Sequence, residues 1–259
     1  MSSERFLDEK LIKKFDKKIQ VLIERIGVDR KTQDEVFDKS TLHSLEKLIS
    51  DRVIDILDFP ISTGKEGNIF RGVAPDKKFV AVKIYRTSTS TFKHISSYIM
   101  GDPRFKAINK NRRDIVYAWA RKEFKNLERL HEAGVRAPKP IARINNVLVM
   151  EYIGDYKRPA STLKDTPFLK NPKEIFDTLI NYISMMYKKA KLVHSDLSAF
   201  NVLMYKNQPY LIDIGQGVLL EHPFAHELLK RDIHNIVDYF KKYDIDADEE
   251  KIYNDIANK

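Results

Sequence analysis

Residues Leu192 to Asn201 read LVHSDLSAFN. His194, Asp196 and Asn201 stand there at H-x-D-x-x-x-x-N spacing, which sets a carboxylate where it can meet an acceptor hydroxyl and places an amide oxygen further on for a cation. Twelve residues past Asn201, YLIDIGQG puts Asp213 at the end of the apolar run Tyr210-Leu211-Ile212. Asp196, Asn201 and Asp213 thus supply oxygen ligands from one strand-loop-strand hairpin. Such a set suits Mg²⁺, which leaves phosphate to complete its shell. A lone H-x-D occurs in many structured loops, so the reading depends on what stands upstream.

Upstream, Ser62-Thr63-Gly64-Lys65-Glu66-Gly67-Asn68-Ile69 is turn-rich, with glycines where a backbone can approach a phosphate. It departs from G-x-G-x-x-G at Ser62. It is not a Walker A loop either, because Glu66 follows Lys65 where a Mg²⁺-binding Ser or Thr would stand. FVAVKIY, Phe79 to Tyr85, lies close to V-A-I-K, whose lysine contacts nucleotide phosphates, and this assigns that role to Lys83. Four motifs in this order give a kinase reading, with Asp196 as base, Asn201 and Asp213 on the metal, and residues 62–69 over the phosphates. A helix from Asp114 to Ala133 supplies Glu123, beside core Phe124, as the expected partner of Lys83 in preference to Glu128. Asn145-Asn146 turns the chain into Val147–Met150, and Glu151-Tyr152-Ile153-Gly154 then takes the hinge position, with Met150 guarding the pocket.

The 259 residues carry 46 Lys or Arg against 37 Asp or Glu, a net charge of +9, and no cysteine. Disulfides, thiolate metal sites and thiol catalysis are excluded, and the inorganic partner expected is a hard, oxygen-ligated ion such as Mg²⁺ or Mn²⁺. The basic surplus fits an anionic partner such as RNA or simply a basic nucleotide enzyme. No apolar run long enough to cross a bilayer is present, and the charged N-terminus lacks a signal-peptide core, so a cytoplasmic protein without a membrane partner is expected. Apolar residues at spacings of three and four predict an amphipathic helix over 5–26 and a second helical pattern from about Thr32 to Leu57, with a candidate break near Lys39-Ser40, ended by Asp58-Phe59-Pro60. The stretch from Arg86 to Arg113 is Ser/Thr-rich with one acid, Asp102. It reads as a solvated insertion, as a contact for an anionic partner, or as a place for self-phosphorylation. Pro172 opens a helix that delivers the chain to Val193.

Together, STGKEGNIF, the insertion after VAVKIYR, HSDLSAFN, and IDIGQG followed by HPFAHELLKRD resemble the RIO family of atypical serine/threonine protein kinases, on the type 1 side. The resemblance implies an α+β, bilobal protein-kinase-like fold with a truncated C-terminal lobe, here preceded by an N-terminal helical extension. The boundaries expected are 1–59 for the extension, 60–153 for the N-lobe and 154–259 for the C-lobe. It also implies ATP and Mg²⁺ binding, phosphorylation of Ser or Thr in a protein substrate or in the chain itself, ATP hydrolysis, and work on the pre-ribosomal small subunit, its RNA or its proteins. Lys83 and Glu123 would orient phosphates, Glu151 and Ile153 would bond adenine through backbone groups, Asp196 would be the base, and Asn201 and Asp213 would hold metal. Asp213 is in addition a candidate phosphoacceptor. Ser195 replaces the arginine of H-R-D, and no A-P-E follows Asp213. Three functions stay open: a serine/threonine kinase, an ATPase-switched assembly factor, and a small-molecule phosphotransferase.

Overall fold

The computed structural model describes residues 36–64, 66–87 and 111–258. The helix expected over 5–26, Lys65, and all but the ends of the 86–113 segment lie outside the described residues.

Helix α1 (Lys39–Ser50) starts where the Asp38 carboxylate accepts the Thr41 N–H at 2.8 Å, satisfying a first-turn donor. It buries Leu45 and Leu48, each contributing about 2 kcal/mol of apolar transfer. The helix does not run to Leu57, where the spacing predicts its end. It stops at Ser50, Arg52 takes φ +55°, and Leu57 with Asp58-Phe59-Pro60 belongs to strand β1 (Ile56–Thr63). The spacing of Val53, Ile54 and Leu57 imitates a helix stripe, but these residues deliver the chain into a strand. Pro60 is tolerated because β1 is an edge strand, irregularly paired between Leu57 and Ser62.

Strands β2 (Gly67–Val73), β3 (Phe79–Tyr85), β4 (Pro140–Ile144) and β5 (Val147–Glu151) complete a sheet of order β1-β2-β3-β5-β4, antiparallel throughout. Along β3, Val80, Val82 and Ile84 pack with Phe70, Val147 and Val149 toward α1. Ala81 and Tyr85 pack with Leu148 and Met150 on the other face, against helix α2 (Arg112–Ala133). Burial on both faces explains why FVAVKIY is apolar except at Lys83. Asn111 caps α2, and Gly134 ends it at φ +81°. The α2 stripe holds the expected Ile115, Trp119, Leu127 and Leu130, and it also carries Lys122, Glu123 and Asn126 into the interior.

Beyond residues 151–154 lies a second, mostly helical lobe. Its sheets are β6 (Ser161–Thr162) with β8 (Val202–Tyr205) and β9 (Gln208–Leu211), and β7 (Leu192–Val193) with β10 (Val218–Leu219). Helix α3 (Pro172–Met185) has Pro at its first position and continues as a π-helical turn, Met186–Ala190. Lys191, at φ +53°, then turns the chain into β7. Helices α4 (Ala225–Lys241) and α5 (Glu249–Ala257) close the lobe, Phe240 of α4 meeting Phe176 of α3 edge to face at 5.5 Å. Residues from both lobes line a single cleft of about 760 Å³.

Candidate active site

Lys83 projects from β3 into the cleft and is almost wholly buried. Its ammonium donates to both Glu123 oxygens, at 2.9 and 2.8 Å, and to Asp213 Oδ1 at 2.8 Å. Burial opposes that charge, but the carboxylates of Asp213 and Glu123 outweigh it and hold the Lys83 pKa above the ordinary lysine value. Lys83 in turn keeps Asp213 below its usual range against the effect of burial. Glu123 occupies this position because α2 lies along the β3 face that carries Lys83.

The loop after β7 is fixed from beneath. Asp232 of α4, 1% exposed, accepts the N–H groups of Ser195 at 2.8 Å and Leu197 at 2.9 Å, gripping the backbone on either side of Asp196. Arg231 donates to the Ser195 carbonyl, so a guanidinium arrives from α4 at the residue that lacks one. Ser195 is held at φ +71° and Asp213 at φ +59°, left-handed conformations that need such support. Burial pushes Asp232 up to about 7, although its two backbone N–H donors pull the other way. His194 is fully buried with Nε2 3.1 Å from the Ile212 carbonyl, and burial pushes its pKa down to about 4, so the ring is neutral and Nε2–H donates. His194 thereby ties the Asp196 loop to the segment entering Asp213.

Asn201 donates through Nδ2 to the Asp196 carbonyl at 2.8 Å and to Asp196 Oδ2 at 3.2 Å, and Gln216 Nε2 reaches the same Oδ2 at 3.2 Å. With its nitrogen so engaged, the amide of Asn201 keeps its oxygen for a cation. Among the described residues no three carboxylate or imidazole groups form a closed metal cage. One carboxylate and one amide oxygen in an open cleft fit Mg²⁺, which is held by few protein ligands together with phosphate and water.

Of the residues singled out from the sequence, Ser62, Gly64, Glu66, Gly67, Ile69, Lys83, Glu123, Met150, Glu151, Ile153, Asp196, Asn201 and Asp213 all line the cleft. Thr63 and Asn68 do not, and Lys65 is outside the described residues. Strand alternation is the reason for Asn68: its neighbours Gly67 and Ile69 line the cleft, while its own amide is buried and accepts from Arg86 at 3.0 Å. Gly67 has a reason besides phosphate approach, since a Cβ there would stand 2.4 Å from the Ile84 carbonyl oxygen. Burial, reinforced by Asp213, pushes Glu66 up to about 7. Tyr85, Gln216, Arg231 and Asp232 escaped the sequence reading. Arg231 and Asp232 stood in the HPFAHELLKRD stretch, but spacing alone gave them no task.

A two-lobed α+β fold with a lysine–carboxylate pair, a looped aspartate and an Asn/Asp oxygen pair in the interlobe cleft defines a protein-kinase-like protein. The RIO domain model matches residues 68–252. The chain belongs to the RIO domain family. It is 43% identical over 223 residues to the RIO-type serine/threonine-protein kinase Rio1 of Haloferax volcanii, covering 86% of this chain and 76% of that one. The Methanocaldococcus jannaschii protein of the same description is 40% identical over 231 residues, covering 89% and 79%. The human serine/threonine-protein kinase RIO1 is 37% identical over 220 residues, 84% of this chain and 39% of that protein. Among solved structures, the Rio2 kinase–ADP/Mg²⁺–phosphoaspartate complex from Chaetomium thermophilum superposes with a TM-score of 0.66 at 19% identity, over 86% of this chain and 68% of that one, a likeness of fold.

Proposed function

We propose that the chain is a Mg-ATP-dependent serine/threonine protein kinase of the RIO type. The observation that carries this is the placement of Lys83 between Glu123 and Asp213, in the same cleft as Asp196 and Asn201. Bound Mg²⁺, held by Asn201 and Asp213, would neutralise phosphate charge. Adenine recognition falls to the carbonyl of Glu151 and the N–H of Ile153, since the Glu151 N–H is given to Lys139 at 2.8 Å and the Ile153 carbonyl accepts from Ala160 at 3.0 Å. Asp196 accepts the proton of the acceptor hydroxyl as its oxygen bonds to phosphorus. Lys83 stabilises the oxygen of the departing diphosphate as the old P–O bond breaks.

Asp196→Ala tests the reading. Phosphoryl transfer, followed by radiolabel, should fall at least a thousandfold, while Mg-ATP affinity by calorimetry stays within about tenfold, because the group acts mainly in the transition state. Unchanged transfer would refute the assignment.

The RIO resemblance further supports ATP hydrolysis and a cytoplasmic place of work on the pre-ribosomal small subunit, with the +9 charge favouring an RNA surface. An ATPase that serves as a release switch is the second reading, favoured by the absence of an A-P-E after Asp213. ATP turnover stimulated by small-subunit precursors without label transfer would select it. No helix among the described residues is long and apolar enough to cross a membrane.

A further inference from the structure

Glu123 is 1% exposed, and its carboxylate has a second donor besides Lys83: the Tyr85 hydroxyl donates to Oε2. Tyr85 follows Lys83 by two residues on β3, so both side chains leave the same face of the strand. The Lys83 ammonium also stands 5.1 Å from the centroid of the Tyr85 ring. One side chain therefore touches both members of the ion pair.

The tyrosine is itself immobilised. It is 1% exposed, its N–H donates to the Asn146 carbonyl at 3.0 Å, and its carbonyl accepts from Asn146 Nδ2 at 2.9 Å. The same nitrogen donates to Thr41 Oγ1 of α1 at 2.8 Å. Asn146 is fully buried in the turn between β4 and β5, so the phenol is referenced to the sheet and to the helix behind it, and not to the nucleotide side of the cleft. Lys83, by contrast, is shared. Its ammonium already spans Glu123 and Asp213, and in the proposed reaction it must also face phosphate. A buried carboxylate whose cation has divided duties needs a donor that stays put.

We propose that Tyr85 is a positioning residue of the phosphotransfer site, whose hydroxyl keeps Glu123 turned inward and through it fixes Lys83. This rests on the kinase reading above. Without the hydroxyl, Lys83 is the donor that still holds Glu123. The two then relax together, α2 turning the carboxylate outward and the ammonium collapsing onto Asp213.

The test uses the full chain with Mg-ATP, scoring label transfer, ATP KM and thermal midpoint for wild type, Tyr85→Phe, Glu123→Ala and the double variant. Wild-type transfer that Asp196→Ala abolishes must be present first; if it is absent, the kinase reading has failed and this inference falls with it. Given that activity, Tyr85→Phe should lower kcat about tenfold with ATP KM within threefold and the midpoint within about 3 °C. In the Glu123→Ala background the same change should cost less than twofold. An unchanged kcat, or equal losses in both backgrounds, would overturn the proposal. Should Tyr85→Phe fail to fold, two isosteric replacements at position 85 decide. 4-Aminophenylalanine, which keeps a donor, should restore the rate to within threefold of wild type, while 4-fluorophenylalanine should not; equal rates for the two would overturn it.

Discussion

Replacing Asp232 by alanine removes the acceptor that holds the Asp196 loop from below. Two buried N–H groups, those of Ser195 and Leu197, lose their partner. Each unsatisfied donor costs about 1–3 kcal/mol, so about 4 kcal/mol together. Burial pushes the same carboxylate up to about 7, so deleting it also relieves a desolvation cost that opposes part of this loss. The net expectation is a loss of about 2–3 kcal/mol, or roughly 5–10 °C in thermal midpoint for a chain of this size. Asp232→Asn keeps one acceptor and carries no charge, so its loss should stay near 1 kcal/mol. Both variants release Asp196 from its orientation, and kcat for label transfer should fall more than tenfold. ATP affinity should stay within threefold, because Lys83, Glu123 and Asp213 lie on other segments. Urea and thermal unfolding, calorimetry with Mg-ATP and radiolabel transfer measure the three quantities. The reasoning is refuted if Asp232→Ala melts within 2 °C of wild type with full transfer, or if ATP binding is lost as completely as transfer.

Two further outcomes are expected. His194 is neutral in the fold, with a pKa of about 4 against 6.5 in the unfolded chain, so below pH 6.5 the unfolded state binds the extra proton and stability is lost as pH falls toward 4. Between pH 7 and 4.5 this amounts to about 2 kcal/mol, and the wild-type loss in urea unfolding should exceed that of His194→Gln by that amount; parallel profiles would contradict it. A Cβ at Gly215 would stand 3.0 Å from Glu123 Oε2 and 3.1 Å from Trp119 Nε1, so Gly215→Ala should disturb the Lys83–Glu123 pair and cut kcat about tenfold with a midpoint loss of only a few degrees. An unchanged kcat would show that the pair tolerates the methyl group.

Much of the fold was readable because its signals are local. The run FVAVKIY announces a strand buried on both faces, the Asn145-Asn146 pair announces a turn, and the stripe of Ile115, Trp119, Leu127 and Leu130 announces α2. Glu123 is preferred over Glu128 for standing mid-helix one residue before Phe124, although Phe124 itself is only partly buried. Periodicity failed at the end of α1, where apolar residues at helical intervals continue past Asp51 into an edge strand. It also had nothing to say about Tyr85, which reads as one more apolar strand residue until its hydroxyl is seen against a glutamate 38 positions away. Lys122 and Asn126 look like solvated helix residues, yet they donate to the carbonyls of Gly215 and Ile214 at 2.8 and 2.9 Å, contacts that only tertiary packing creates. Asp232 and Gln216 belong with them: their tasks are set by loops 20 or more residues away.

Arg71 of β2 stands over the rings of Phe59 and Phe79, 4.3 Å from each centroid, with Nε 2.8 Å from the Asp58 carboxylate and Nη1 2.9 Å from the Tyr156 carbonyl just past the hinge. The guanidinium thus stitches the upper lobe to the lower one beside the covalent connection, as a second thread stiffens the spine of a book. Opening about that spine would pull the cation away from two aromatic faces. Movement between the lobes is therefore expected to leave the hinge side of the cleft nearly stationary, because the contacts that would have to break are gathered there.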